Sequence, residues 1–314
     1  MNPALSVIFF TTLSGAGYGL LAWTALAALL GQPSRPLLVS LVLALALVSI
    51  GLISSLAHLG KPQRAWRALS QWRTSWLSRE GVAALVTFIP AVLLAMALLP
   101  AMIGADGDAA TSLGGVGCVI AIALVVSALA TVACTAMIYA SLKPIPAWRH
   151  WLVLPVYLLF ALVCGGLLLL AMLSWHGMAI GNLTALCATA AIIVLTLFKL
   201  RYWADLDATD LPATRGDAVG LPTRTVTVFE RPNTEANYLT REMAFVVARK
   251  HSRKLRALAL ALLAVLPLLG LLLAWLHQGA PLWLSIAAVS LLAGAFVERW
   301  LFFAEAKHLV TLYY

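Results

Sequence analysis

Charge is what this 314-residue chain has least of: 11% of its residues are charged, and only 12 are acidic. With 62% hydrophobic residues and a mean hydropathy of +0.96, it has too little polar surface to coat a water-soluble core of this size. The bilayer must therefore act as solvent. Cysteine is also scarce. Cys118, Cys134, Cys164 and Cys187 lie singly inside apolar runs, with no CxxC pair and no thiolate cluster at metal spacing. They read as small core residues, so neither an iron–sulfur cluster nor a zinc site is expected in this chain. No run of intramembrane carboxylates marks a proton path through the middle. No basic segment precedes the first apolar run, which reads as a retained helix and not as a cleaved signal peptide. Nor is there a soluble basic domain, so the net charge of +9 does not point to nucleic acid.

What is present is apolar length. Eight runs of about the span of the hydrocarbon core fall at roughly 5–30, 37–58, 80–102, 113–140, 151–175, 178–200, 255–277 and 281–304. In lipid every backbone amide needs an internal partner, which makes these runs helices. The expectation is an all-α polytopic membrane protein, a bundle of eight transmembrane helices forming one domain over 1–314. The basic residues are lopsided. Lys61, Arg64, Arg67, Arg73 and Arg79 fill the second loop and Lys143 and Arg149 the fourth. Eleven more lie between Lys199 and Arg256, so three loops hold 18 of 21. The positive-inside rule then places the even-numbered loops and both termini in the cytoplasm, in a bacterial inner membrane.

The opposite loops are minimal, at 32–36, 103–112, 175–177 and 278–279. Loop 59–79 is amphipathic, with Trp66, Leu69, Trp72 and Trp76 at near-helical spacing among cations, and suits the lipid interface. Loop 201–254 is the one substantial polar segment. It carries Asp205, Asp207 and Asp210, turn residues, and a β-like run from Thr225 to Phe229. Asn233 or Thr234 could then cap a helix reaching about Leu255. Its mixed charge and β-branched content suit docking against a protein; a solvated connector is the plainer reading. Gly15 and Gly19, and in part Gly115 to Val119, have the small-residue spacing of close helix contacts.

Ionisable residues at membrane depth are costly and usually functional. They are His58, Glu80, Glu298, Arg299 and Glu305, at the inner ends of the second, third and eighth runs. Convergence of those ends would make one polar pocket. Singly, each has a plain explanation: an interface histidine, a carboxylate favoured by a helix N-terminus, or an Arg299 paired with Glu298 or Glu305. His176 and His277, near the outer ends of the fifth and seventh runs, keep a haem formally open, but interface histidines are the simpler reading.

His58-Leu59-Gly60-Lys61-Pro62-Gln63-Arg64-Ala65, followed by Leu77-Ser78-Arg79-Glu80, resembles the membrane anchor subunit of DMSO-reductase-type molybdoenzymes, the DmsC-like family. The last run, with Ala293-Gly294 and Arg299-x-x-Phe302-Phe303, is also similar. That resemblance implies a three-subunit oxidoreductase. A catalytic subunit holds molybdopterin, an iron–sulfur subunit relays electrons, and the anchor binds quinone (ubiquinone or menaquinone), itself holding neither metal nor haem. His58 and Glu80 match the family's quinone-site histidine and glutamate. Either could exchange a proton with quinone. Arg64 and Lys61 could stabilise charge there or bind lipid phosphates, with Arg299 as a further member of the pocket. Docking is expected on Arg67, Arg73, Phe229, Arg231 and Asn233. The opening residues 1–15 and Phe229 to Asn233 look like the sulfite-dehydrogenase branch, whose catalytic subunits are cytoplasmic, as the charge bias requires. Quinone reduction by sulfite is thus favoured over quinol oxidation by an S- or N-oxide. A secondary transporter is the alternative from another class. Pro90, Pro155 and Pro267 lie in helices, but no half-to-half repeat or midplane charge accompanies them.

Overall fold

A computed structural model of the chain describes residues 4–57, 59–103, 110–209, 211–230, 235, 247–276 and 279–313. Eight helices among these are long and apolar enough to cross a membrane: α1 Leu5–Leu29, α2 Ser34–Leu56, α3 Trp76–Pro100, α4 Gly115–Ala140, α5 Val153–Trp175, α6 Asn182–Ala208, α7 His251–Leu276 and α8 Ala280–Ala304. Three of the four turns on the sparsely charged face contain a glycine at φ between 76° and 100°: Gly31, Gly177 and Gly279. Only glycine adopts that left-handed backbone without cost, which lets one helix stop and the next reverse within a few residues.

The helices form two rings of four. In the first, α1 packs on α2, α2 on α3, α3 on α4, and α4 returns to α1; α5 to α8 repeat the circuit. The rings meet where α1 crosses α5. A Cβ on Gly19 would overlap the backbone of Ala161, and one on Gly165 would overlap that of Gly19 and Leu20. The helix backbones therefore touch, the arrangement small residues permit in lipid. The Trp23 indole donates to the Leu162 carbonyl at 2.8 Å across the same seam, and Phe9 meets Phe296 of α8 edge-on at 4.5 Å. Gly15, paired with Gly19 on spacing, contributes nothing to this crossing, since a Cβ there would meet no atom within 4 Å. Gly17 is the second close contact, against Ala44 and Val48 of α2. Gly115 packs on nothing and Gly117 only on Leu113 in its own loop. Four-residue spacing names a face, and the crossing angle decides which glycine is used.

Several boundaries move. α3 begins at Trp76, not 80, and α6 runs to Ala208, so Arg201 to Asp207 are helical and the polar connector starts at Thr209. Residues 225–229 form no strand. The expected cap at Asn233 or Thr234 lies outside the described residues; the helix is continuous from Val247 into α7. Loop 59–79 holds a 3-10 helix, Pro62–Gln71, with Trp66 and Trp72 exposed as an interfacial segment requires. Wider π turns interrupt α1 at Phe10–Ser14 and α7 at Ala261–Val265. Such turns shift a helix's hydrogen-bond register, and the Ser290 hydroxyl donates to the Leu262 carbonyl at 2.9 Å within the second.

Candidate functional site

Glu80 stands one residue beyond the first turn of α3, so the carboxylate is not a helix-cap group. The turn before it is clamped. Ser78 Oγ donates to the Ala68 carbonyl, and the Arg79 guanidinium donates to the carbonyls of Trp72 at 3.0 Å and Arg73 at 2.7 Å while lying over the Trp76 ring. Those contacts tie the interfacial segment to the start of α3 and turn Glu80 inward. Its side chain is buried, and Oε1 has no hydrogen-bond partner among the described residues. The Tyr18 hydroxyl of α1 is likewise buried and unpartnered, and the Glu80 charge acts on Tyr18, on Cys134 and on Tyr139 of α4. A buried carboxyl oxygen without a donor is costly. It marks a place where another hydrogen-bonding group belongs.

The second ring holds a larger set of charges, buried at Lys199, Glu298 and Arg299 and reaching solvent at Asp207. Glu298 of α8 is inaccessible to solvent and pairs with Lys199 of α6 at 2.5 Å and with its neighbour Arg299 at 2.8 Å. Arg256 of α7 donates to both oxygens of Asp207, at 2.6 and 3.0 Å, and to Glu305 at 2.9 Å. Three cations thus face three carboxylates, which makes the set formally neutral. The Trp203 ring lies between the two groups, 4.9 Å from Lys199 and 5.4 Å from Arg256. Arg299 stacks over Tyr157 of α5 at 3.9 Å. Tyr157 in turn stacks on Tyr139 at 6.0 Å between ring centroids, within an aromatic cluster that includes Trp148, Phe302 and Phe303. Tyr139 is therefore the residue that feels both Glu80 and Arg299.

On the basic face a cavity of about 310 Å³ opens beside this network, lined by His150, Asp205, Asp207, Arg256, Glu305 and Lys307 among others. Burial pushes the Glu305 carboxyl up, and Arg256 pulls it back. Burial pushes the His150 imidazole down, against the opposing pull of Asp205 3.3 Å away.

The residues singled out in the sequence therefore separate. Glu80 lies on α3 of the first ring and Arg299 on α8 of the second, where Arg299 stacks over Tyr157 and Tyr157 on Tyr139. Lys61, Arg64, Arg67 and Arg73 are exposed on or beside the 3-10 segment, and Phe229 is fully exposed. Arg67 and Arg73 lie over Trp66 and Trp72 at 5.6 and 5.5 Å, a pairing suited to the headgroup layer. His58, Arg231, Asn233 and His277 lie outside the described residues. His176 is exposed, its Nδ1 2.9 Å from the Met172 carbonyl. Arg299 is paired with Glu298, the plain alternative for it. By sequence position Lys199 and Arg256 count as loop charges. Both are partners of intramembrane carboxylates, and the excess of buried acid in the eighth run is the signal that cations are needed from elsewhere.

Eight helices among the described residues that are long and apolar enough to cross a membrane, with ionisable side chains gathered toward one face, define a polytopic membrane protein. The chain belongs to the family described as DMSO reductase anchor subunit (DmsC), which it matches over residues 1–304. It is 33% identical to the C subunit of the sulfite dehydrogenase of Allochromatium vinosum, across 100% of this chain and 99% of that protein. No solved structure matches it.

Proposed function

We propose that this chain is the quinone-binding anchor of a sulfite dehydrogenase. Electrons released when sulfite is oxidised to sulfate on a molybdopterin subunit would pass through an iron–sulfur subunit to quinone at the basic face. Reduction of quinone takes up two electrons and two protons, so the anchor must supply protonatable groups and no metal. One observation carries this reading: Glu80 is buried near the start of α3 with an unpartnered carboxyl oxygen, on the helix that follows the His58-to-Ala65 motif in the sequence. A quinol hydroxyl is the donor that oxygen lacks, and a protonated Glu80 can itself donate to a quinone carbonyl. His58 is the second proton exchanger in this reading, and the Tyr18 hydroxyl, also buried and free, is a donor toward the same region. Lys61 and Arg64, exposed just before α3, hold lipid phosphates at the mouth; Arg67, Arg73 and Phe229 are docking residues in this reading, with Arg231 and Asn233 beside Phe229 in the sequence. Phe229, a fully exposed aromatic on a polar connector, fits burial by a partner subunit. The whole-length likeness to a sulfite dehydrogenase subunit favours sulfite oxidation; the family's description favours a quinol-oxidising DMSO reductase as the second reading.

The test uses the purified complex. Glu80→Gln and His58→Ala should each lower sulfite-to-quinone turnover about 10²-fold or more, the usual contribution of a positioned acid or base. Turnover with an artificial dye should persist. Unchanged quinone activity in both variants would remove this site, and activity with DMSO but not sulfite would select the second reading.

A further inference from the structure

At the junction of α1, α5 and α8 the helices enclose a small cavity of about 20 Å³. Its lining includes one polar residue from each helix, Thr12, Tyr157 and Arg299; Thr12 Oγ1, Tyr157 Oη and Arg299 Nη1 are buried without a well-formed hydrogen bond, although Arg299 and Tyr157 also interact with each other. Thr12 belongs to the π turn Phe10–Ser14, where Thr11 and Ser14 return their hydroxyls to the backbone of the preceding turn and Thr12 does not. The remaining wall, including Phe160, Ala161 and Cys164, is mainly apolar. Buried polar atoms without partners are individually unfavourable, and three around one void share a single remedy. A water molecule needs about 10–15 Å³ of such room and two to four polar partners. Both conditions are met here.

We propose that this cavity binds one structural water, accepting a hydrogen bond from Arg299 and exchanging hydrogen bonds with the Thr12 and Tyr157 hydroxyls. The water joins the two helix rings at their polar level. It also ties the charged group on α8 to the π turn of α1, which explains why α1 widens where it passes Arg299. The guanidinium already has Glu298 as counterion, so a neutral ligand suffices and a halide is the competing occupant. The assignment does not depend on quinone binding.

A structure of the purified complex at a resolution that shows ordered water decides the matter. One peak within hydrogen-bond distance of all three atoms is expected, and an empty cavity overturns the proposal. A peak that bromide replaces, giving an anomalous signal, overturns water in favour of an anion. Two variants supply an independent readout on the same complex. Thr12→Val, which keeps shape and removes the hydroxyl, should lose the peak and lower the melting temperature, whereas Thr12→Ser should keep both. Equal behaviour of the two variants contradicts the assignment.

Discussion

Lys199, Glu298 and Arg299 pose the sharpest question at the scale of single residues, because three charges sit where solvent does not reach. Each would be prohibitive alone. Together they have short contacts, and the adjoining Arg256, Asp207 and Glu305 restore neutrality. Removing one member leaves an uncompensated buried charge, so Glu298→Gln should destabilise the protein by about 3–5 kcal/mol. The double change Lys199→Met with Glu298→Gln removes one charge of each sign. It should recover part of that loss, because Lys199 is no longer left unpaired while Arg299 still lacks Glu298. Thermal unfolding of the detergent-solubilised protein reads both. A double variant no more stable than the single one would show that the charges are not coupled. Glu80 contrasts with this set: its Oε1 has no hydrogen-bond partner among the described residues, which is why it is the carboxylate proposed for quinone.

Helices are positioned here by what they lack as much as by what they carry. α1 reaches the α5 backbone because Gly19 and Gly165 have no side chain, and tryptophan and phenylalanine contacts then flank the crossing. Gly19→Ala should cost about 1–3 kcal/mol or more through overpacking and lower the yield of folded protein. Gly15→Ala, four residues away, should leave the crossing intact, because an added methyl meets no atom within 4 Å and Gly15 lines the small cavity beside Thr12 instead. Fluorescence-detected size-exclusion profiles of the two variants separate them, and equal profiles would contradict the crossing described. Apolar run length made every helix legible in the sequence. Their ends were less so, because Asp205 and Asp207 pair with His150 on the α4–α5 connection and Arg256 on α7, and Arg201 with Asp205 inside α6, which hydropathy does not see.

The assembled bundle is two four-helix rings with one heavily basic face. If that face is cytoplasmic, single cysteines placed at exposed positions 64 and 224 in a cysteine-free background should react with impermeant maleimide in inside-out vesicles. They should stay unlabelled in right-side-out spheroplasts. The reverse pattern would put the docking loops outside and break the link to cytoplasmic sulfite oxidation. Two of the cations behind this topological expectation, Lys199 and Arg256, prove to be internal ion-pair partners. The remaining exposed cations still leave the same face basic.

Residue order alone was enough to define the class of protein: a bilayer-dissolved helical bundle, its eight spans, the face that carries charge, and the motif linking His58 to Glu80. These follow from local quantities, namely apolar length, charge placement and residue spacing, which need no knowledge of neighbours. Which charges meet is a property of the folded bundle. Glu298 takes a lysine from 99 residues upstream, Glu305 and Asp207 share Arg256, and Glu80 and Arg299 sit on different rings. Pairing of buried charges is a long-range matter. It is set by which helices touch and at what height, and here a pair of glycines at one crossing sets the contact between the rings.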